Sequence, residues 1–293
     1  MDNLLFIVNP IAGGGRTKSV IPLIHNKMKS NNINYEMILT TSTTEATRIT
    51  EDKVDIYPFI VAVGGDGTVN EVAKGLINRG KGTLGIIPSG TGNDLGKVLG
   101  IPSDINDALD VLIQGKSKKI DIGKINNYNF LNIASIGFDT EVVIHTNRIK
   151  DKIKSKTAYI LGILVTLFSF KKSNVSLIID DVEYHRNLVL LAIGNGKYYG
   201  GGLPILPMAK TDDGFFHICL VKDVSNLKIL FLFPSIFKGQ HLKYTKYVEI
   251  FKAKKLIVKN SEIKNLNIDG EIVEVNEDIV FEIESLKLDI ITE

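Results

Sequence analysis

The 293-residue sequence has a single cysteine, a net charge of only +2 and five histidines that show no metal-ligand spacing. One thiol forms no internal disulfide, which fits a reducing cytoplasm, and Cys219 reads as a small core side chain within the run Phe215 to Val221. The near-balanced charge supplies no basic field for nucleic acid. The opening Met1-Asp2-Asn3-Leu4 lacks the basic start of a signal peptide. No apolar stretch is long enough to span a bilayer. The most membrane-like one, Thr157 to Phe170, holds 14 residues where roughly 20 are needed, and it reads as a buried or interfacial helix. Two common phosphate cradles are also missing: G-x-x-x-x-G-K-[ST] occurs nowhere, and G-x-G-x-x-G fails because Asn70 stands where the third glycine belongs.

A hydrophobic content of 44% is enough for a core throughout, and no repeat or low-complexity linker interrupts the chain. The first 120 residues alternate strand and helix signals. Leu4 to Val8, Tyr35 to Leu39, Phe59 to Val63 and Leu84 to Ile87 read as strands. Val20, Ile21, Ile24 and Met28 recur at helical spacing, Glu45 opens a helix capped by Thr43 or Thr44, and Val69 to Asn78 is helical. Continuous apolar strands alternating with helices predict a three-layer α/β domain with a mainly parallel sheet. After Lys119, short strands separated by Asn126-Asn127, Asp180-Asp181 and Asp269-Gly270 predict an antiparallel β-sandwich, with helical excursions near 138–170 and 225–238. One expected strand is Phe130 to Ala134.

Chemistry concentrates in three places. Gly64-Gly65-Asp66-Gly67-Thr68, at the end of a strand and the start of a helix, lets backbone N–H groups approach phosphates, and Asp66 there suits a divalent cation or its water shell. A tight strand-to-helix turn is the plainer use of those glycines. Pro88-Ser89-Gly90-Thr91-Gly92-Asn93-Asp94 follows the next strand, at the carboxyl edge where open α/β sheets bind ligands, although Asn93 or Asp94 also suits a helix N-cap. Asn9-Pro10 and Thr40 end strands at that same edge. The third place, Asp269-Gly270-Glu271, is a hairpin signal that carries two carboxylates. A kinase needs a carboxylate to accept or orient a hydroxyl proton, so Asp269 or Glu271 facing the phosphate loop would serve.

These three motifs, in this order and at these separations, resemble the diacylglycerol kinase catalytic-domain family over essentially the whole chain. The resemblance implies an ATP- and magnesium-dependent lipid kinase, with diacylglycerol the leading acceptor and phosphatidic acid the product. It implies an α/β ATP-binding domain over 1–122 plus 285–293 and a sandwich over 123–284. Carried across, the nucleotide residues are Asn9, Pro10, Ile11, Ala12, Gly13, Thr40, Gly64, Gly65, Asp66, Gly67, Thr68, Asn70, Glu71, Thr91, Asn93 and Asp94. Glu271 and Asp269 are implied as catalytic base and support, in an order the sequence leaves open. Lys210, Asp213 and Phe215 resemble a structural magnesium site, where a plain turn through Asp212-Asp213-Gly214 is the bland alternative.

Two basic segments suggest how such an enzyme reaches a lipid. Residues 148–172 carry Arg148, Lys150, Lys152, Lys154, Lys156, Lys171 and Lys172 against Asp151, and 222–264 carry ten lysines against three acids. Each flanks an apolar run, Leu161 to Phe170 and Leu227 to Phe237, so reversible attachment to an anionic inner membrane face is expected. Solvated lysines around core helices are the competing reading. An NAD kinase-like enzyme and a catalytically silent membrane-associated nucleotide binder are the alternatives, and oligomeric state, a homodimer included, stays open.

Overall fold

The computed structural model describes residues 3–150, 157–259 and 263–293. Of the residues read above as basic, Lys152, Lys154 and Lys156 lie outside the described residues, and Lys150 is described by its backbone alone. The chain divides into two compact units: 1–122 with 200–202 and 284–293, and 123–199 with 203–283. The expected partition differs from this at Gly200–Gly202 and at Glu284, which cluster with the first unit.

In the first unit, β1 (Leu4–Val8), β2 (Tyr35–Leu39), β3 (Phe59–Gly64) and β4 (Thr83–Pro88) alternate with α1 (Thr17–Ser30), α2 (Glu45–Lys53) and α3 (Asp66–Arg79). Then come α4 (Asp94–Val98), α5 (Ile105–Gln114) and β5 (Ser117–Ile125). The strands pair in the order β2-β1-β3-β4, all parallel. The end of the last strand, Ile279–Ile291, joins them at Thr83 and Leu84, also parallel. Every residue of β1 is fully buried, as a strand covered on both faces requires, and each such side chain contributes about 2 kcal/mol of transfer free energy. α1 packs Val20, Ile24 and Met28 inward at the spacing of one helical face.

Three details depart from the expected pattern. Thr44 precedes α2 in a left-handed conformation (φ 65°) and its side chain caps nothing. Glu71 of α3 does that work, accepting from the amides of Thr44 and Ala46 at 3.0 and 3.1 Å. α3 starts at Asp66 rather than Val69, so the glycine motif forms its first turn. α5 was not expected; Asp104 caps it through the amides of Asn106 and Asp107.

The second unit contains β6 (Tyr128–Phe130), β7 (Ile133–Gly137), α6 (Phe138–Lys150), α7 (Thr157–Ser169), β8 (Ser173–Ile179), β9 (Val182–Gly194) and β10 (Phe216–Lys222). α8 (Asn226–Leu232) follows, with 3-10 turns over Phe233–Lys238 and Gln240–Lys243. It closes with β11 (Val248–Ala253), β12 (Lys255–Lys259), β13 (Asn265–Ile268), β14 (Glu271–Glu274) and the first part of β15 (Ile279–Ile291). Its strand pairs are antiparallel. β9 is long enough to change partners: Val182 to Leu188 pair with β8, while Leu188 to Gly194 pair with β10. The core between the strands stacks Phe130 on Phe216 at 5.5 Å, among Leu177, Leu191, Leu256 and Phe281. Cys219 is fully buried, and burial pushes its thiol up to about 12, as a core side chain should show.

The expected strand Phe130 to Ala134 is two strands. The break falls at Leu131-Asn132, where the amides of Leu131, Asn132 and Ile133 leave the ladder and converge on the carboxylate of Asp269. Asp269 and Gly270, both at positive φ (48° and 96°), form the two-residue turn between β13 and β14. Among the described residues, no helix is long and apolar enough to cross a membrane.

Candidate active site

In a parallel sheet every strand ends at the same edge, so the loops after β1, β2, β3 and β4 in the first unit gather there. They are stitched together. Asn9 donates a main-chain bond to Val63 O at 3.0 Å, and its side chain donates to Thr68 Oγ1 at 3.3 Å. Thr40 N bonds Val8 O, Thr17 Oγ1 meets Ser89 Oγ at 2.8 Å, and Gly90 N reaches Gly64 O at 3.1 Å. Two glycines are needed because backbone passes so closely. A Cβ on Gly90 would lie 2.2 Å from Gly65 Cα, and one on Gly13 would lie 2.2 Å from Ser89 O.

The strongest tie is Asp66. Its Oδ2 accepts from Asn93 N at 2.8 Å and its Oδ1 from Asp94 N at 2.6 Å, so one carboxylate binds the glycine motif to the start of α4. Asn93 sits in the left-handed region (φ 54°) and uses its side chain to pair with the Gly90 backbone in both directions. Neither Asn93 nor Asp94 caps α4 by its own side chain; Asp66 does so in their place. Asp94 is buried and accepts from Gly201 N at 2.8 Å. Burial, joined by the Asp66 charge, holds its carboxyl above the usual range. Its Oδ1 is buried without a hydrogen-bond partner, 3.6 Å from Lys97 Nζ.

No side chain caps α3, so its first-turn N–H groups, at Asp66 to Thr68, are donors the helix itself leaves unmet. With the helix dipole they favour an anion at that end. Ile11, Ala12, Gly13 and Thr91 lie in the same loops, Gly64 ends β3, Gly67 sits in the first turn of α3, and Pro10 follows Asn9 after β1. Asn70 lies on α3. Glu71 is set apart from them, because both of its carboxylate oxygens cap α2. The sequence reading missed Arg16, whose Nε donates to Gly13 O at 3.0 Å, and Gly201, which holds Asp94; the run of three glycines at 200–202 was the available signal.

The second unit carries the acidic hairpin. Asp269 Oδ2 accepts from Leu131 N at 2.8 Å, and Oδ1 accepts from Asn132 and Ile133 N at 3.0 and 2.9 Å. Glu271 pairs with Ile268 through its backbone, but it is exposed and its carboxylate makes no hydrogen bond or ion pair with another described residue. The two carboxylates are thus unequal: one is spent on the backbone, the other is open to a proton. The same unit has an apolar pocket of about 70 Å³, open on one side, lined by Val142, Val189, Leu190, Val221, Ile229 and Ile236, with Asp139, Tyr199, His241, Tyr244 and Tyr247. α8 and the turn after it line this cavity with Ile229, Leu232 and Ile236, yet expose Leu227 (68%), Phe231 (75%) and Phe237 (59%) on their other side. Asn226, at the start of α8, donates to Leu167 O and Phe170 O, which places the 90% exposed Phe168 on the neighbouring helix end.

The residues expected to hold magnesium, Lys210, Asp213 and Phe215, lie on the segment that leads into β10 (Phe216–Lys222). Asp213 accepts from Phe215 N, and its Oδ2 has Lys252 Nζ at 3.1 Å and His217 Nε2 at 3.2 Å. Burial works to raise this carboxyl, but the bonds from Lys252 and His217 outweigh it and hold it low. Asp213 is thus ion-paired with Lys252 in this structure. No set of three His, Cys, Asp or Glu suited to a metal occurs among the described residues.

Comparison with known proteins agrees along the whole length. Residues 3–125 match the profile of the diacylglycerol kinase catalytic domain, and 132–291 match that of the YegS C-terminal NAD kinase beta sandwich-like domain. A diacylglycerol kinase of Staphylococcus saprophyticus is 33% identical over 270 residues, covering 90% of this chain and 87% of that one. The diacylglycerol kinase of Staphylococcus epidermidis is 34% identical over 269 residues, covering 90% and 84%. A crystal structure of a Bacillus anthracis diacylglycerol kinase superposes with a TM-score of 0.80 at 28% identity, over 99% of this chain and 97% of the other. An NAD kinase from Archaeoglobus fulgidus, solved with ATP, shares the fold alone, at a TM-score of 0.55 and 14% identity, over 100% and 94%.

Proposed function

Because the chain belongs to the diacylglycerol kinase catalytic-domain family, and is a lipid kinase by that membership, we propose that it transfers the γ-phosphoryl group of ATP to the free hydroxyl of diacylglycerol, giving phosphatidic acid. The observation that carries the nucleotide half is the union of two glycine-rich loops by the Asp66 carboxylate beside the unmet amides of α3. Those amides and the loop backbone cradle the phosphates. Asp66 and Asp94, two carboxylates held at the start of α4, would be available to a hydrated magnesium ion bound with the nucleotide. When bound with the nucleotide, that ion neutralises phosphate charge.

Glu271 is the base in this reading. The lipid oxygen forms a bond to the γ-phosphorus as the bond to the bridging oxygen breaks; the hydroxyl proton passes to Glu271 and ADP leaves. Asp269 keeps Leu131 to Ile133 and the hairpin turn in register. The cavity of the second unit receives hydrocarbon, and the exposed Phe168, Leu227, Phe231 and Phe237, with Lys171, Lys172 and Lys228 nearby in sequence, meet the membrane surface. The protein then works at an anionic bilayer face without spanning it.

Transfer of label from ATP to dioctanoylglycerol tests the assignment of the base. Glu271→Gln should lower kcat by roughly 10²- to 10⁴-fold with ATP affinity and melting temperature unchanged. Asp269→Asn should also lose turnover. Full activity in both variants removes the acidic hairpin from the mechanism.

A further inference from the structure

The second unit has another pocket, which shares no residue with the apolar one and is basic. It is an open groove of about 450 Å³, lined by Ile136 and Leu188 and by Lys171, Lys172, Lys264 and Glu141. Three ammonium groups against one carboxylate leave its lining with a surplus of two positive charges. Lysines elsewhere on this unit find acids: Lys222 pairs with Glu249, Lys252 with Asp213 and Lys255 with Glu282. None of the three groove lysines pairs with an acid among the described residues. Like charges gathered in one concavity attract a counter-ion into it.

The lysines come from separate parts of the chain, and their backbone is fixed. Asn226 donates to Phe170 O at 3.2 Å just before Lys171, and Ser173 pairs with Leu188 just after Lys172. Val275 N donates to Lys264 O at 2.8 Å, and the next residue, Asn265, pairs with Glu274. A frame held in this way lowers the cost of ordering charged side chains around a ligand. The groove is also set apart from the acidic hairpin. Asn265, at the start of β13, lines it, and Asp269 lies beyond the other end of that strand, roughly 13 Å away at the rise of a strand.

Two features select the ligand. Ammonium groups bind phosphate as point charges, and a phosphate monoester carries close to two negative charges at pH 7, where a diester carries one. The surplus charge of the lining matches the monoester. The helix that delivers Lys171 and Lys172 is also apolar on its open side. Leu164, Val165 and Phe168 share one face of α7 at helical spacing and are 39%, 43% and 90% exposed. Hydrocarbon therefore has a surface to lie on within a few residues of the charged groove. A free phosphate would leave that face unused.

We propose that the groove binds the phosphate-monoester head of an anionic lipid, with its acyl chains against α7, at a site separate from the phosphoryl-transfer hairpin. The product of the reaction proposed above is a lipid of this class. That link rests on the lipid-kinase reading, whereas the affinity of the groove does not.

Calorimetric titration of the full-length protein without nucleotide, using dihexanoyl phosphatidate as monomers, tests the site. Wild type should bind it about fivefold more tightly than dihexanoyl phosphatidylglycerol, for the one charge between them, and far more tightly than inorganic phosphate. Lys172→Gln combined with Lys264→Gln should weaken phosphatidate about 30-fold, at about 1 kcal/mol per lysine. The corresponding pair of arginine substitutions should stay within threefold of wild type, which separates lost charge from lost folding. Glu141→Gln removes the one opposing charge and should tighten binding about threefold. Lys238→Gln, beside the exposed Phe237 but outside the groove, should leave affinity within twofold. A phosphatidate bound only at the hairpin would ignore the lysine pair, and a diffuse basic field would respond equally to Lys238→Gln; either result overturns the proposal. Inorganic phosphate binding as tightly as phosphatidate would also overturn it, as a free-phosphate site. Wild-type preference for phosphatidate without phosphoryl transfer to dioctanoylglycerol would support the groove and overturn the kinase reading.

Discussion

The two units use carboxylates differently. In the first, the acids of the motifs are braces: Asp66 accepts from two amides of the α4 start, Glu71 from two at the α2 start, and Asp94 from Gly201. In the second, the hairpin pairs one brace, Asp269 with three amides, with one carboxylate, Glu271, that has no partner among the described residues. Acidic residues in a phosphate motif are therefore not interchangeable candidates for proton chemistry. A carboxylate saturated by backbone N–H groups holds a loop in place; one left open is available to take a proton.

The comparison is broken most severely by removing a brace. Asp269→Ala leaves three amides without their acceptor and should cost about 3 kcal/mol in urea unfolding of the second unit, at about 1 kcal/mol per bond. Asp66→Ala leaves two, and should cost about 2 kcal/mol while weakening ATP binding. If both variants are as stable as wild type, the braces are only geometric coincidence. A smaller effect separates the units by substrate. Val189→Phe fills the cavity and should raise KM for dioctanoylglycerol about tenfold, or roughly 1.4 kcal/mol, with KM for ATP unchanged. The smallest concerns the surface. Reversing Lys171 or Lys172 to Glu should weaken partitioning onto vesicles containing phosphatidylglycerol by about 1 kcal/mol each, and leave partitioning onto neutral vesicles as it was.

The first unit was largely legible in the sequence because its site is local. Each loop lies within about ten residues of the strand that aims it, and Leu4–Val8 and Tyr35–Leu39 have the bounds their apolar runs mark. What escaped was long-range. Glu71 caps a helix 25 residues earlier, overriding the threonines that local propensity favours there. Asp269 breaks a strand 136 residues earlier, so Phe130 to Ala134 could not be divided without it. The cavity gathers residues from Phe138 to Val248, and no spacing rule joins them. The helix at Ile105–Gln114 is a different kind of miss, because its cap Asp104 and inward Ala108, Leu109, Val111 and Leu112 were all readable.

The central claim is that the acceptor is a lipid hydroxyl, although the fold is shared with an NAD kinase. Phosphorus NMR of products formed from ATP, magnesium, dioctanoylglycerol vesicles and NAD in one reaction tests it most directly. The expected result is a single new phosphomonoester on the glycerol carbon, formed one-for-one with ADP and absent with Glu271→Gln. A phosphate on NAD, or ADP formed with no phosphorylated lipid, would contradict it.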